Sequence, residues 1–163
     1  MFKVKKYNSE PGFVFAEIAT AIGKGLMAGA AGTLAITLSQ MIEMKITKRK
    51  PSDTPANAAE KVLDVKPATE EDKSKLSQQV HWAYGTTWGL PRSIMDLLGL
   101  KGLPATTLHF ATIYTTALVL PSSLKVAPPL KEWSVKEFAI DALHHVVYAV
   151  AAGLVYDALS DNW

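Results

Sequence analysis

The chain has no cysteine. That excludes disulfides, thiolate metal sites and thiol catalysis, and it leaves the compartment open. Histidine is scarce, with four in 163 residues. Charge of one sign is lacking too. The net charge is +2, and basic residues are interleaved with acids, so no nucleic-acid surface is indicated. There is no phosphate-binding glycine loop, no nucleotide fingerprint and no Ser/His/Asp set at recognisable spacing. An internal repeat is also missing, and with it the inverted repeat of larger secondary transporters. An enzyme acting on a soluble substrate is therefore not expected.

Charge is also missing from long stretches. Gly25–Ile42 carries none over 18 residues, and Leu103–Leu124 carries none over 22, with only His109 ionisable. Ala142–Tyr156 carries none except its histidines. Hydrophobic residues make up 48% of the chain and the mean hydropathy is +0.11, so the average conceals a strong segregation. A spanning helix needs about 20 apolar residues, and two or three segments meet that. The fold class expected is all-α, a single integral membrane domain over 1–163. Four helices are expected at about 13–44, 70–98, 105–120 and 134–159, with a polar connection at 46–69. A helical protein outside the membrane is the competing reading.

The first helix holds Gly25-Leu-Met-Ala-Gly29 with Thr33 one step further on, a spacing that lets helices approach closely in lipid. Gly25, Gly29, Thr33, Thr37, Gln40 and Glu43 share one face. The basic start of the chain and the apolar run after it read as a retained helix, not a signal peptide. Ser52-Asp-Thr-Pro55 is a helix start. It opens a short amphipathic helix to about Leu63, with Ala59, Val62 and Leu63 facing the membrane surface or the bundle. Thr69 with Asp72, and Ser134 with Glu137, read as capping boxes. The second helix is the weakest candidate to span, with a kink expected near Pro91. The third is expected to stop at Pro121.

The last helix is the most informative. At about 100° per residue, Glu137, Asp141, His144, His145, Tyr148 and Tyr156 fall on one stripe. Leu143, Val146, Val147, Val150, Gly153 and Leu154 form the opposite face, which would meet lipid or a partner. Ionisable groups at membrane depth cost roughly 2.5–3.5 kcal/mol each and usually mark function.

In an up-down-up-down bundle these stripes converge. One side gathers Gln40, Glu43, His81, Asp141, His144 and His145, with Tyr148 deeper. The other gathers Arg92, Asp96, His109 and Tyr156, with Lys24 and Asp157. Within the second set, Arg92 with Asp96 reads as an ordinary helix-surface pair. Of the adjacent histidines His144 and His145, one ring is expected inward and one at the helix edge. The first cluster has three readings. It is a structural hydrogen-bond network, a metal or haem site using His81, Asp141 and His145, or a proton or ion relay. No cofactor is the leading expectation, with metal or haem as the alternative. Basic residues number eleven on the side of the two long loops and six on the other, which favours cytoplasmic loops.

Several short stretches resemble small bacterial membrane proteins of unknown function, of the YagU-like inner-membrane type. They are Gly25–Thr33 running into Ser39-Gln-Met-Ile-Glu43, Pro51–Pro55, His81-Trp-Ala-Tyr-Gly85, and Asp141-Ala-Leu-His-His145 running to Tyr148. The resemblance implies a four-helix protein of the bacterial inner membrane and brings no activity, cofactor or catalytic residue. The function expected is an interaction or accessory subunit of a membrane assembly. Its partners would be the lipid bilayer and other copies or other membrane subunits, reached through the glycine face of the first helix and the apolar face of the last. The alternative is a small proton- or ion-conducting or metal- or haem-binding bundle.

Overall fold

The computed structural model describes residues 11–161 and is all-α. The expectation drawn from Lys3, Lys5 and Lys6 lies outside the described residues. The elements are α1 (Pro11–Thr47), α2 (Thr54–Leu63), α3 (Glu70–Thr87), α4 (Gly89–Leu97), α5 (Gly102–Ser123), a 3₁₀ turn at Leu130–Glu132, and α6 (Val135–Asp161). Three helical segments are long and apolar enough to cross a membrane: Gly12–Thr47, Gly102–Ser123 and Val135–Ser160.

Local signals set most of the boundaries. At α3 the Thr69 hydroxyl accepts from the Asp72 amide (3.1 Å), and Glu70, Glu71 and Asp72 crowd the first turn, where the helix dipole favours acids. At α6 the Ser134 hydroxyl accepts from the Glu137 amide, and the Glu137 carboxylate accepts from the Ser134 amide (2.7 Å). Glu137 is thereby exposed and part of a cap, not a member of the inward stripe. At α2 Asp53 is the N-cap without a side-chain cap bond, and the Ser52 hydroxyl takes the Thr54 amide instead. Ala56 and Ala59 are buried under α2, while Val62 and Leu63 stay exposed.

Two prolines act differently from expectation. The helical run from Glu70 does not kink at Pro91. It breaks at Trp88, between α3 and α4. Pro91 has no N–H to give the Thr87 carbonyl, and its ring crowds that carbonyl, so the ladder fails one turn earlier. Pro91 then sits in the first turn of α4, where no donor is needed. In α5 the helix runs through Pro121 to Ser123. Lys125 follows in the left-handed region (φ 54°), and the Val126 and Lys125 amides bond the Pro121 and Ser122 carbonyls. This Schellman closure ends the helix and uses the proline's carbonyl. Gly99 (φ 82°) closes α4 the same way, with Leu100 and Gly99 amides on Met95 and Asp96.

α1 packs on α3, α4 and α6, and α5 packs on α6 and α4. Ala21 and Gly25 of α1 meet α4, Thr37 meets His81 of α3, and Gly32 and Ser39 meet Tyr148 and His144 of α6 in that order. The broken α3–α4 unit therefore runs antiparallel to α1, as does α6. A Cβ on Gly25 would fall 2.9 Å from the Gly89 carbonyl, and one on Gly29 2.8 Å from the Thr86 carbonyl carbon. Backbones touch there. The glycine face of α1 is thus occupied inside the chain and is not free for self-association. Gly153, expected on the outer face of α6, is buried, and a Cβ on it would lie 2.6 Å from Thr106 Oγ1 of α5.

The core is small-residue and polar, with Ala28, Ile36, Ile113, Tyr148, Ala152 and Tyr156 at its centre. Large apolar side chains point outward. Phe15 is 75% exposed, Leu34 51% and Leu154 68%.

Candidate functional site

Polar side chains form a line along the interior of the bundle. At the loop end of that line, the Thr37 hydroxyl donates to the Thr33 carbonyl (2.6 Å), which leaves its oxygen to accept from His81 Nε2 (3.0 Å). His145 Nδ1 donates to the Asp141 carbonyl (2.8 Å), with the Asp141 carboxylate 3.5 Å away, and its ring lies against Tyr114 of α5 (5.4 Å between centroids). His144 turns the other way, toward α1, where its Nδ1 is 2.8 Å from Ser39 Oγ. Its Nε2 is 4.0 Å from Glu43 Oε2. Glu43 is held by Arg49 (2.8 and 3.1 Å) and by the Thr47 hydroxyl (2.8 Å). Both adjacent histidines are thus largely enclosed, each facing a different helix, in place of one inward and one at the edge. Gln40 is half-buried.

Midway, the buried Tyr148 hydroxyl donates to the Gly85 carbonyl (2.7 Å), and its ring fills the space that Gly32 leaves. His109 stands 6.0 Å from Tyr148, ring to ring, and its Nε2 donates to the Trp88 carbonyl at the α3–α4 break (2.7 Å).

At the other end, Arg92 is fully buried and pairs with Asp157 of α6. Its guanidinium lies over the Tyr156 ring (4.8 Å), a cation–π arrangement. The Tyr156 hydroxyl donates to Asp96 (3.3 Å), which also faces Lys101 (3.5 Å). The Ser93 hydroxyl donates to the Ala21 carbonyl of α1 (2.7 Å). Arg92 is not the surface partner of Asp96. The two residues point to different neighbours, because α6 supplies a carboxylate on the inner side.

The residues read from the sequence are thus gathered as two groups joined by Tyr148 and His109. His81, Asp141 and His145 do not form a metal set: among the described residues no three His, Asp or Glu side chains converge as metal ligands. His81 bonds the Thr37 hydroxyl of α1, whereas His145 bonds the Asp141 carbonyl of its own helix. Several buried polar atoms have no protein partner: Arg92 Nε and Nη1, His109 Nδ1 and His144 Nε2.

Sequence reasoning missed Ser39, Ser93 and Tyr114. Ser39 had a signal, since it stands four residues before Glu43 on the same helix and thus on the same side. Ser93 had one too: Gly85, Gly89 and Ser93 repeat at every fourth residue, mirroring Gly25, Gly29 and Thr33. Tyr114 had none, because its contact with His145 depends on the register of α5 against α6.

No protein-family model matches the chain, and neither a curated protein nor a solved structure shows significant similarity to it.

Proposed function

We propose that the chain is a polytopic integral membrane protein of the bacterial inner membrane. It is a four-helix bundle in which α3 and α4 together make the second crossing, and it serves as an accessory or interaction subunit of a membrane assembly. The observation that carries this reading is the inverted distribution of side chains. Small and polar residues fill the interior, and Phe15, Leu34, Leu143 and Leu154 lie outside. In water such a surface would be a large exposed apolar patch. In lipid it is the expected arrangement, because small residues and interhelical hydrogen bonds hold helices together there. The α3–α4 unit runs from Glu70 to Leu97, about 40 Å of helix at 1.5 Å per residue, which suffices to cross.

The accessory role rests on how the interior groups are used. His81, His109, His145 and Tyr148 each spend a hydrogen bond on a hydroxyl or a backbone carbonyl. The bonds of His81, His109 and Tyr148 join different segments of the bundle, that of His145 stays within α6, and all four leave the outer face to meet partners. With the glycine face of α1 filled, the outer face of α6 (Leu143, Val146, Val150, Leu154) is the surface proposed for a second copy or another subunit. The test is disulfide trapping in membranes with Val150→Cys, the chain having no other cysteine. A trapped dimer or a trapped heterologous subunit supports the role. A monomer under oxidising conditions, in protein that resists alkaline extraction, contradicts it while leaving membrane residence intact.

A further inference from the structure

A pocket of about 410 Å³ opens between α2 and the turn that closes α5. It is lined by Asn57, Glu60 and Lys61 of α2, by Lys66 just beyond, and by Lys125 and Val126. Its charges do not balance. The one carboxylate, Glu60, is faced by Lys73 of α3 at 3.7 Å. Lys61, Lys66 and Lys125 have no carboxylate within 4.0 Å among the described residues. Three cations around one concave space raise its potential and call for an anion. Water solvates such a group without neutralising it. Lys125 also holds the left-handed place where glycine is usual (φ 54°). The residue kept there at a conformational cost is thus one whose side chain lines the pocket.

The depth of the pocket narrows the choice of anion. Lys125 is the first charge after the uncharged stretch Leu103–Leu124, so in the membrane reading it stands where α5 leaves the hydrocarbon. Headgroups lie at that depth. Beside the pocket, between Lys61 and Lys66, the exposed side chains of Val62, Leu63 and Val65 offer apolar surface to acyl chains. A free anion would leave that surface unused. A phosphodiester has oxygens aimed in several directions, which suits three ammonium groups and the Asn57 amide together.

We propose that this pocket binds the headgroup of an anionic phospholipid, with its phosphate among Lys61, Lys66 and Lys125 and its acyl chains along Val62, Leu63 and Val65. The inference rests on the membrane reading above. It goes beyond it by assigning a lipid class and a site to the polar connection between the first two crossings.

The test uses full-length protein, shown beforehand to resist alkaline extraction from membranes. Native mass spectrometry in detergent compares binding of phosphatidylglycerol and of phosphatidylcholine with the same acyl chains, at equal concentration. Wild type should prefer phosphatidylglycerol. A lysine beside an anionic surface contributes about 1 kcal/mol, or about fivefold. Lys61→Ala, Lys66→Ala and Lys125→Gly should therefore each lower the preference about fivefold. Lys125→Gly places glycine where the backbone favours it, and its Tm in the same detergent separates lost binding from lost fold. Lys131→Ala, at an exposed position outside the pocket, should leave the preference unchanged. An equal fall with Lys131→Ala means a diffuse positive surface and overturns the proposal. So does a preference that none of the pocket variants moves. Displacement of phosphatidylglycerol by an equal concentration of glycerol phosphate would make the occupant a soluble phosphate and overturn the lipid assignment. Because membrane residence is established first, each of these failures leaves that reading standing.

Discussion

Arg92 on α4 and Asp157 on α6 form an ion pair across the bundle, 65 residues apart in the chain. The arginine is fully enclosed, whereas the aspartate side chain is about a third exposed. The pair is therefore asymmetric. Asp157→Asn strands a buried cation and should cost about 3–5 kcal/mol, the usual loss when one partner of a buried pair is removed. Arg92→Met removes the buried charge, keeps most of the stem, and leaves a carboxylate that reaches water. Its cost should be clearly smaller. Thermal unfolding of both variants in the same detergent decides the order, and equal losses would show that the pair is not the cause.

The contact of α1 with the α3–α4 unit makes a second prediction. Gly89→Ala should destabilise, because a Cβ there falls 2.6 Å from the Gly29 amide nitrogen, and overpacking costs typically 1–3 kcal/mol. Gly23→Ala is the control. Nothing lies within 4 Å of a Cβ at that position, so alanine should stabilise the helix by about 0.5–1 kcal/mol. Denaturant titration in micelles measures both signs.

His81 and Thr37 supply a third. A structural role predicts coupling between Thr37→Val and His81→Gln in a double-mutant cycle, of about 0.6 kcal/mol as for other interhelical hydrogen bonds in membranes. A relay role predicts instead that His81→Gln folds with unchanged stability and alters pH-driven flux in liposomes.

The C-terminus of α5 gives a fourth. Lys125 occupies the left-handed region with a side chain that disfavours it. Lys125→Gly should raise stability by up to about 1 kcal/mol, since glycine is at home at this position of a Schellman closure. A fall in Tm would show that the lysine side chain contributes more than its backbone costs.

How far these features were legible follows from what each depends on. The capping boxes at Thr69 and Ser134 are local, set by residues three apart, and they appear where the sequence placed them. The uncharged stretches gave the three long apolar helices for the same reason. Pro91 and Pro121 were read by rule as a kink and a stop. Their outcome turned on neighbours: one broke the ladder a turn earlier, where His109 meets the Trp88 carbonyl, and the other was absorbed into a last turn closed by Lys125. The inward stripe of α6 was visible, but which way each ring turned was not. His144 faces Ser39 and His145 faces Tyr114 because of the lateral register of α1 and α5 on α6, and a single helix's periodicity carries no information on that. The Gly85/Gly89/Ser93 series was readable and would have identified the partner of the Gly25/Gly29 face.

The central claim is that α3 and α4, neither of which is a long apolar helix, together carry the chain across the membrane as the second of four crossings. The absence of native cysteine makes its most direct test clean. Lys50→Cys, Leu98→Cys and Lys131→Cys, all at exposed positions between helices, would be treated in sealed vesicles with a membrane-impermeant maleimide. Four crossings predict that positions 50 and 131 label from one side and position 98 from the other. Labelling of positions 50 and 98 from the same side, with 131 opposite, would mean that the chain crosses three times and that the α3–α4 unit does not span.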